Sequence, residues 1–464
     1  MRSKVLRGCV GAFAALAMFV VPAAAQAASH PFLRVAASGT KTPLVPFETA
    51  CGTAVGPDSR LLVSDYDQNV INAFVTALAP LAPLPSQLVV NESSPLEAPS
   101  LDSSACALAI DSGSNVYAAS YHQGVLRYPA PSYLSPTTIG AGQATGVAVD
   151  RATDALYVTR PTHVDVYGAP VTPASVPSAI GTGSLTSAYG VAISGFPGTQ
   201  GFVYVADAAD DTVKVFDPAT DIVNPIATID GAGTPQGGFR DLTDTSLAID
   251  DSSGQLFVLD NLQPGAEHPA AAVYAFDASG AYLGLLPKAL VHGEPSGVAV
   301  DNSANPTQGL IYVTSGNEAY FNSRTSKNET PVVYAFCPTA PISSSLQKAC
   351  PVPSPATSIE VSRAGSGRGT VVGAGAEVIC GDLCATEADV GTVVTLVATP
   401  KPHSTFGGWS VSGGTSSCGA AATCKVTLSS AAEVTATFAA IPQRQLTVSK
   451  DGSGSGAVTS SPVG

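Results

Sequence analysis

The stretch GVAVDRATDALYVTR, residues 146–160, returns near the other end of the chain as GVAVDNSANPTQGLIYVTS, residues 297–315. In Val147, Ala148 and Val149 the alternation is large against small, not apolar against polar. A strand with apolar residues on both faces is buried on both, so it lies between neighbouring sheets, and its small face lets strands crowd towards a shared axis. Aligning the chain on itself finds six such phrases: CGTAVG from Cys51, CALAID from Cys106, TGVAVD from Thr145, YGVAIS from Tyr189, TSLAID from Thr245 and SGVAVD from Ser296. Ala54, Ala109, Ala148, Ala192, Ala248 and Ala299 hold the same place in each. Each phrase continues through a turn into a second apolar run, such as LYVTR or VYVAD, and then a third, such as HVDVYG or TVKVFD. Asp111, Asp150, Asp250 and Asp301 fall where the chain leaves the first run and read as turn formers that bond their own backbone.

A repeat of about 40 to 55 residues with three or four strands has the period of a propeller blade, not of a helical solenoid. The wording GVAVD, LYVTR, HVDVYG, and above all VYVADAADDTVKVFD in the fourth copy, resembles the NHL repeat. That resemblance covers about residues 32–337 and implies an all-β fold with a six-bladed β-propeller over 28–337. Residues 75–104 leave room for a degenerate seventh copy. The sixth copy lacks an obvious fourth strand, and FLRVAAS, residues 32–38, fits that slot by pairing with the last sheet, which removes an open edge.

The first residues read as an export signal: Arg2, Lys4 and Arg7 precede an apolar run from Val10 to Val21, and Ala25-Gln26-Ala27 offers a cleavage site after Ala27. The run is short for a membrane span and no later stretch is long enough, so the expected product is exported, extracellular or at the cell surface, and monomeric. Without segment 1–27 the formal charge of -14 becomes -17, which disfavours nucleic acid and anionic lipid as partners.

Eight of the nine cysteines lie beyond that segment, which in an oxidising compartment reads as a disulfide set. Cys51 and Cys106 occupy equivalent repeat positions and are close enough to bond if their strands start near the axis; two buried thiols are the alternative. Cys337 with Cys350 is expected to tie the last repeat to the start of a Pro/Ser linker, 338–357. Cys380 with Cys384, and Cys418 with Cys424, are near enough to staple small loops, with crossed pairing also open.

A different unit starts at SIEVSRAGSGRGTVV, from Ser358, and QLTVSKDGSGSGAVT, from Gln445, repeats it. Between them, short β-type runs end in Thr-Ala-Thr-Phe at Phe438 and contain Gly408-Trp409. Residues 358–440 thereby resemble the bacterial surface repeat related to internalin-type B repeats, and 445–464 would begin a second, truncated copy. Because that copy stops before its cysteines, the chain is expected to be a fragment or its last 20 residues poorly ordered. Trp409, the single tryptophan, reads as a core residue.

Signs of catalysis are sparse. Some NHL-type propellers are lyases with axial metal-binding histidines, but His122, His163, His268 and His292 do not recur at one repeat position, and a catalytic zinc needs three converging ligands. There is no zincin motif, phosphate-cradling loop or nucleophile elbow in a fitting context. The run DAADD places Asp207, Asp210 and Asp211 in one loop, where calcium is the alternative to a solvated turn; no other cofactor is expected. Tyr66, Tyr121, His122, Arg160, Asn261 and Tyr320 follow second strands and fall on one rim of a propeller. The expected role is a rigid scaffold for a protein or carbohydrate ligand, with the β-repeats as spacers and no catalytic residue; the alternative is a metal-dependent lyase or hydrolase acting at the axis.

Overall fold

The computed structural model describes residues 30, 32–38, 50–58, 60–65, 70–75, 107–133, 135–261, 270–286, 291–292, 295–315, 321–322, 327–328, 332–340, 343–350, 356–374, 379–380, 385–442, 449 and 451–457. The proposed cleavage site at Ala27, the hidden-copy region 76–104, and Tyr66, Cys106, His268, Tyr320 and Cys384 lie outside them. The described residues form small, mostly antiparallel sheets and one short helix, Ser344–Ala349.

Each repeat phrase becomes the first strand of its own sheet, as its two-sided apolar pattern demands. The third sheet runs Gly146–Val149, Leu156–Arg160, His163–Tyr167, Ser178–Ile180, with Tyr157 opposite Ala148 and Val158 opposite Val147. The second (from Leu108–Ile110), fourth (from Ala188–Ile193) and fifth (from Leu247–Ile249) follow the same order. The first contributes Ala50–Val55, Arg60–Asp65 and Val70–Val75. In the sixth, Pro295–Val300, Ile311–Ser315 and Val332–Phe336 are completed by Phe32–Ser38, which pairs antiparallel with the third of these. The slot expected for residues 32–38 is therefore the one they occupy. First strands touch in succession along the six sheets, and Ala50–Val55 touches both Leu108–Ile110 and Pro295–Val300.

The glycine in the repeat phrase has a steric cause. A Cβ on Gly146 would lie 2.5 Å from the carbonyl oxygen of Tyr189 in the next sheet, and one on Gly190 would lie 2.8 Å from that of Thr245. Neighbouring first strands approach backbone to backbone, and only glycine admits that approach. Thr145 Oγ1 adds a hydrogen bond to the Ala188 carbonyl at 2.7 Å across the same seam.

The turn-forming aspartates behave as their position predicts. Asp150 accepts from Ala152 N and Thr153 Oγ1, Asp250 from Ser252 N and Ser253 Oγ, and Asp301 from Ser303 N and Thr307 Oγ1. Asp111 binds Asn115 N and the Tyr117 hydroxyl.

Two features depart from the sequence reading. The Pro/Ser stretch after Cys337 contains the helix, capped by Ser343 Oγ accepting from Leu346 N, and Leu346 is buried with Leu61, Tyr312 and Cys337. The Cys337–Cys350 disulfide closes that stretch onto the sixth sheet, so its first half is packed structure and not spacer. His30, just ahead of the span 32–337 that the repeat resemblance covers, is also buried: its Nδ1 faces the Cys337 carbonyl at 3.1 Å and its ring meets Phe257 edge-on at 5.1 Å.

Residues 356–440 form two further sheets. One orders Ala385–Asp389, Ala356–Ala364, Ala432–Ala440 and Ser404–Ser412, with a parallel pairing between its two central strands. The other orders Ile379–Cys380, Gly369–Ala374, Val393–Pro400, Thr423–Thr427 and Thr415–Cys418. Ile359, Val371, Leu396, Val426, Val434 and Phe438 fill the space between them. Trp409 packs against this core beside Phe406 and donates Nε1–H to the Ala421 carbonyl at 3.1 Å. The Cys418–Cys424 disulfide is present, and Cys51 is disulfide-bonded.

Candidate functional site

The six repeat alanines, Ala54, Ala109, Ala148, Ala192, Ala248 and Ala299, line one cavity of about 130 Å³. Small side chains at that position let six strands face a common space, as the large-small alternation implies. Where the first strands end, the cavity opens among Arg151, Gly195, Asp251 and Asn302. Gly195 N donates to Asp251 Oδ1 at 2.7 Å, Asp251 N to Asn302 Oδ1 at 2.9 Å, and Asn302 Nδ2 to the Ile249 carbonyl at 2.8 Å, linking the fourth, fifth and sixth sheets. Arg151 reaches from the third sheet to the first, donating Nη2–H to the Val55 carbonyl at 2.9 Å. Sequence reading missed this belt, although its members share one signal: each follows the last residue of a repeat phrase.

The opposite rim, where first strands begin and second strands end, holds those of the residues singled out by sequence that are described, namely Tyr121, His122, Arg160 and Asn261. Tyr121 is half-buried and meets the exposed His122 edge-on at 5.1 Å. Tyr189 is also half-buried there; burial, and then the charges of Asp244 and Tyr121, push its hydroxyl pKa up. Arg160 does not face a ligand. It is 8% exposed, donates Nε–H to Asp165 Oδ2 at 2.8 Å, and uses its remaining N–H groups on the carbonyls of Gln143 and Gly140. Asn261 is buried too, with Nδ2 donating to the Thr243 carbonyl at 2.6 Å. The end of a second strand thus points beneath the loop that enters its own sheet, which turns a polar residue there into a loop anchor.

Asp207 and Asp260 occupy the same place as Arg160 and are fully buried. Asp207 accepts from Thr186 N, Ser187 N and Ala209 N, and from Lys214 Nζ at 2.6 Å. Burial pushes its pKa up, but Lys214 and the three backbone donors outweigh that and hold the carboxyl below its usual value. Lys214 Nζ also lies 3.1 Å from Asp210 Oδ2, while Asp211 accepts from Leu242 N. In the loop where calcium was the alternative to a solvated turn, an ammonium group sits between Asp207 and Asp210, and Asp211 turns to another loop. Among the described residues Asp260 has no such cation: its Oδ1 accepts from Arg240 N at 2.9 Å and Asp241 N at 3.1 Å, while Oδ2 has no hydrogen-bond partner there. Burial, reinforced by Asp211 and Asp241 against the two backbone bonds, pushes this carboxyl up to about 7.

His163 pairs with Asp165 at 3.2 Å on the third strand of its sheet, His122 is exposed on the rim, and among the described residues no group of three His, Cys, Asp or Glu is placed to hold a metal ion.

Residues 360–442 match the family model described as the divergent InlB B-repeat domain. The B-repeat thus covers the second pair of sheets and agrees with the resemblance carried by Gly408-Trp409 and the Thr-Ala-Thr-Phe ending. No curated protein sequence matches the chain. Among solved structures it is similar to an X-ray structure of a provisionally assigned gluconolactonase, at 15% identity and a TM-score of 0.41, over 66% of this chain and 92% of that one. The B-repeat and the disulfides both point towards an extracellular protein. No helix among the described residues is long and apolar enough to cross a membrane.

Proposed function

We propose that residues 28–337 form a six-bladed β-propeller of the NHL type that serves as a rigid recognition scaffold for a protein or carbohydrate ligand. In this reading a signal peptide, 1–27, directs export. The stretch 338–357 joins the propeller to a B-repeat at 358–440, and 445–464 starts a second one, so that the repeats hold the propeller away from a cell surface. The observation that carries the reading is the common cavity lined by one alanine from each of six sheets. Strands grouped round an axis bring the loops at their starts onto one rim, held by packed sheets that do not have to be ordered on binding.

On that rim Tyr121, His122 and Tyr189 supply exposed or half-exposed aromatic surface next to Asp244. Aromatic faces beside hydrogen-bonding groups suit both sugar rings and peptide side chains. Screening the whole protein on a glycan array and against immobilised extracellular-matrix proteins tests the proposal. Saturable binding by the wild type, lost on joint Tyr121→Ala and Tyr189→Ala substitution with an unchanged unfolding midpoint, supports it. Binding that survives both substitutions refutes the rim. A stoichiometric transition metal in the purified protein, released on substituting two or more of His122, His163, His268 and His292, would favour a lyase or hydrolase instead.

A further inference from the structure

The B-repeat carries a concave surface whose charge runs against that of the rest of the chain. A groove of about 680 Å³ is lined by Arg363, Arg368 and Lys401 together with Glu360, Ser362 and the edge of Phe438. All three cations are exposed, in a protein of formal charge -14. Among the described residues none of the three is in an ion pair.

Their placement is held by backbone. Lys401 N donates to the Arg368 carbonyl at 2.9 Å, and Arg368 N to Ser404 Oγ at 2.9 Å, which fixes these two residues side by side. Arg363 is held by Nη1 donating to the Gly369 carbonyl at 3.0 Å, and its other N–H groups have no hydrogen-bond partner among the described residues. The Gly-rich turn packs directly on the Phe438 ring, since a Cβ on Gly369 would collide with that ring at 2.1 Å.

We infer that this groove binds an acidic polysaccharide through its carboxylate groups. Arginine forks match carboxylates bidentately, and three cations along one groove suit an anion that repeats along a polymer. Glu360 in the same lining offers an acceptor for the hydroxyls that a uronic acid carries beside its carboxylate, and the sugar–phosphate backbone of DNA carries no such hydroxyl. The groove also presents no exposed aromatic ring on which unpaired bases stack. The acidic remainder of the chain does not prevent binding, because at physiological salt charges are screened over about 8 Å. The repeat is then an attachment module in its own right, independent of what the propeller rim recognises.

The test uses the whole chain with polygalacturonate as the probe, neutral dextran as the charge control and a single-stranded oligonucleotide as the competing polyanion. Wild type binds polygalacturonate in low salt, more weakly as salt rises, and leaves dextran unbound. The triple variant Arg363→Ser, Arg368→Ser, Lys401→Ser loses at least about tenfold in affinity, while Lys425→Ser, on an exposed strand position of the same unit, retains it. Tyr121→Ala leaves this binding untouched, which separates it from the rim. Full binding by the triple variant, no binding by wild type, or equal affinity for the oligonucleotide each overturns the proposal; equal unfolding midpoints of the variants exclude misfolding as the cause.

Discussion

Replacing Asp260 with asparagine isolates one carboxyl that the fold holds in an unfavourable state at neutral pH. The side chain is fully buried, its Oδ1 has two backbone donors, its Oδ2 has no hydrogen-bond partner among the described residues, and its pKa stands at about 7 against 3.8 for the unfolded chain. Between those two values the unfolded chain has released the proton and the folded protein keeps it. Stability therefore falls as pH rises across that window and levels off above it. The difference amounts to about 4 kcal/mol at about 1.4 kcal/mol per pH unit. Asparagine keeps an oxygen for Arg240 N and Asp241 N but carries no charge, so Asp260→Asn removes the slope. The variant should match or slightly trail wild type near pH 4 and exceed it by about 2 to 4 kcal/mol at pH 8. Urea unfolding at several pH values, followed by far-UV circular dichroism and tyrosine fluorescence, measures this, since Trp409 reports only on the B-repeat. A wild-type-minus-variant difference that stays constant from pH 4 to 8 would refute the reasoning.

His30 should work in the opposite direction. Burial foremost, against the Cys337 carbonyl and Asp250, brings its pKa down to about 4, so the protein loses about 3 kcal/mol as pH falls from 6.5 towards 4. His30→Gln removes that acid loss, and a slope unchanged by the substitution would count against it. Gly146→Ala places a methyl group 2.5 Å from the Tyr189 carbonyl oxygen and should cost about 2 to 3 kcal/mol in urea unfolding. Lys214→Met strips the buried Asp207 of its counter-charge and should cost about 3 kcal/mol, largely recovered by adding Asp207→Asn; calcium should leave the wild-type unfolding midpoint unmoved.

Much of this was legible in residue order. The large-small alternation located first strands, the spaced alanines located their inner face, and Asp150, Asp250 and Asp301 marked turns. Each is a local property: strand period, side-chain size, or a carboxylate reaching a backbone N–H two residues on. Cys337–Cys350 and Cys418–Cys424 were readable because short separations leave few partners. The rim was read less well. Arg160 and Asn261 follow second strands like Tyr121, but position along a strand does not say whether the end of a side chain reaches solvent or turns beneath a loop.

The sequence by itself determined an all-β chain of repeated sheets followed by a distinct β-repeat, because periodicity and turn chemistry act within a few residues. Only the tertiary structure decided that Lys214 stands where calcium was considered, that His30 is buried against Cys337, 307 positions away, and that three cations of the repeat converge on one groove. Those outcomes depend on which surfaces meet when sheets pack. Packing is set by the fit of many distant side chains at once, and no local pattern encodes it.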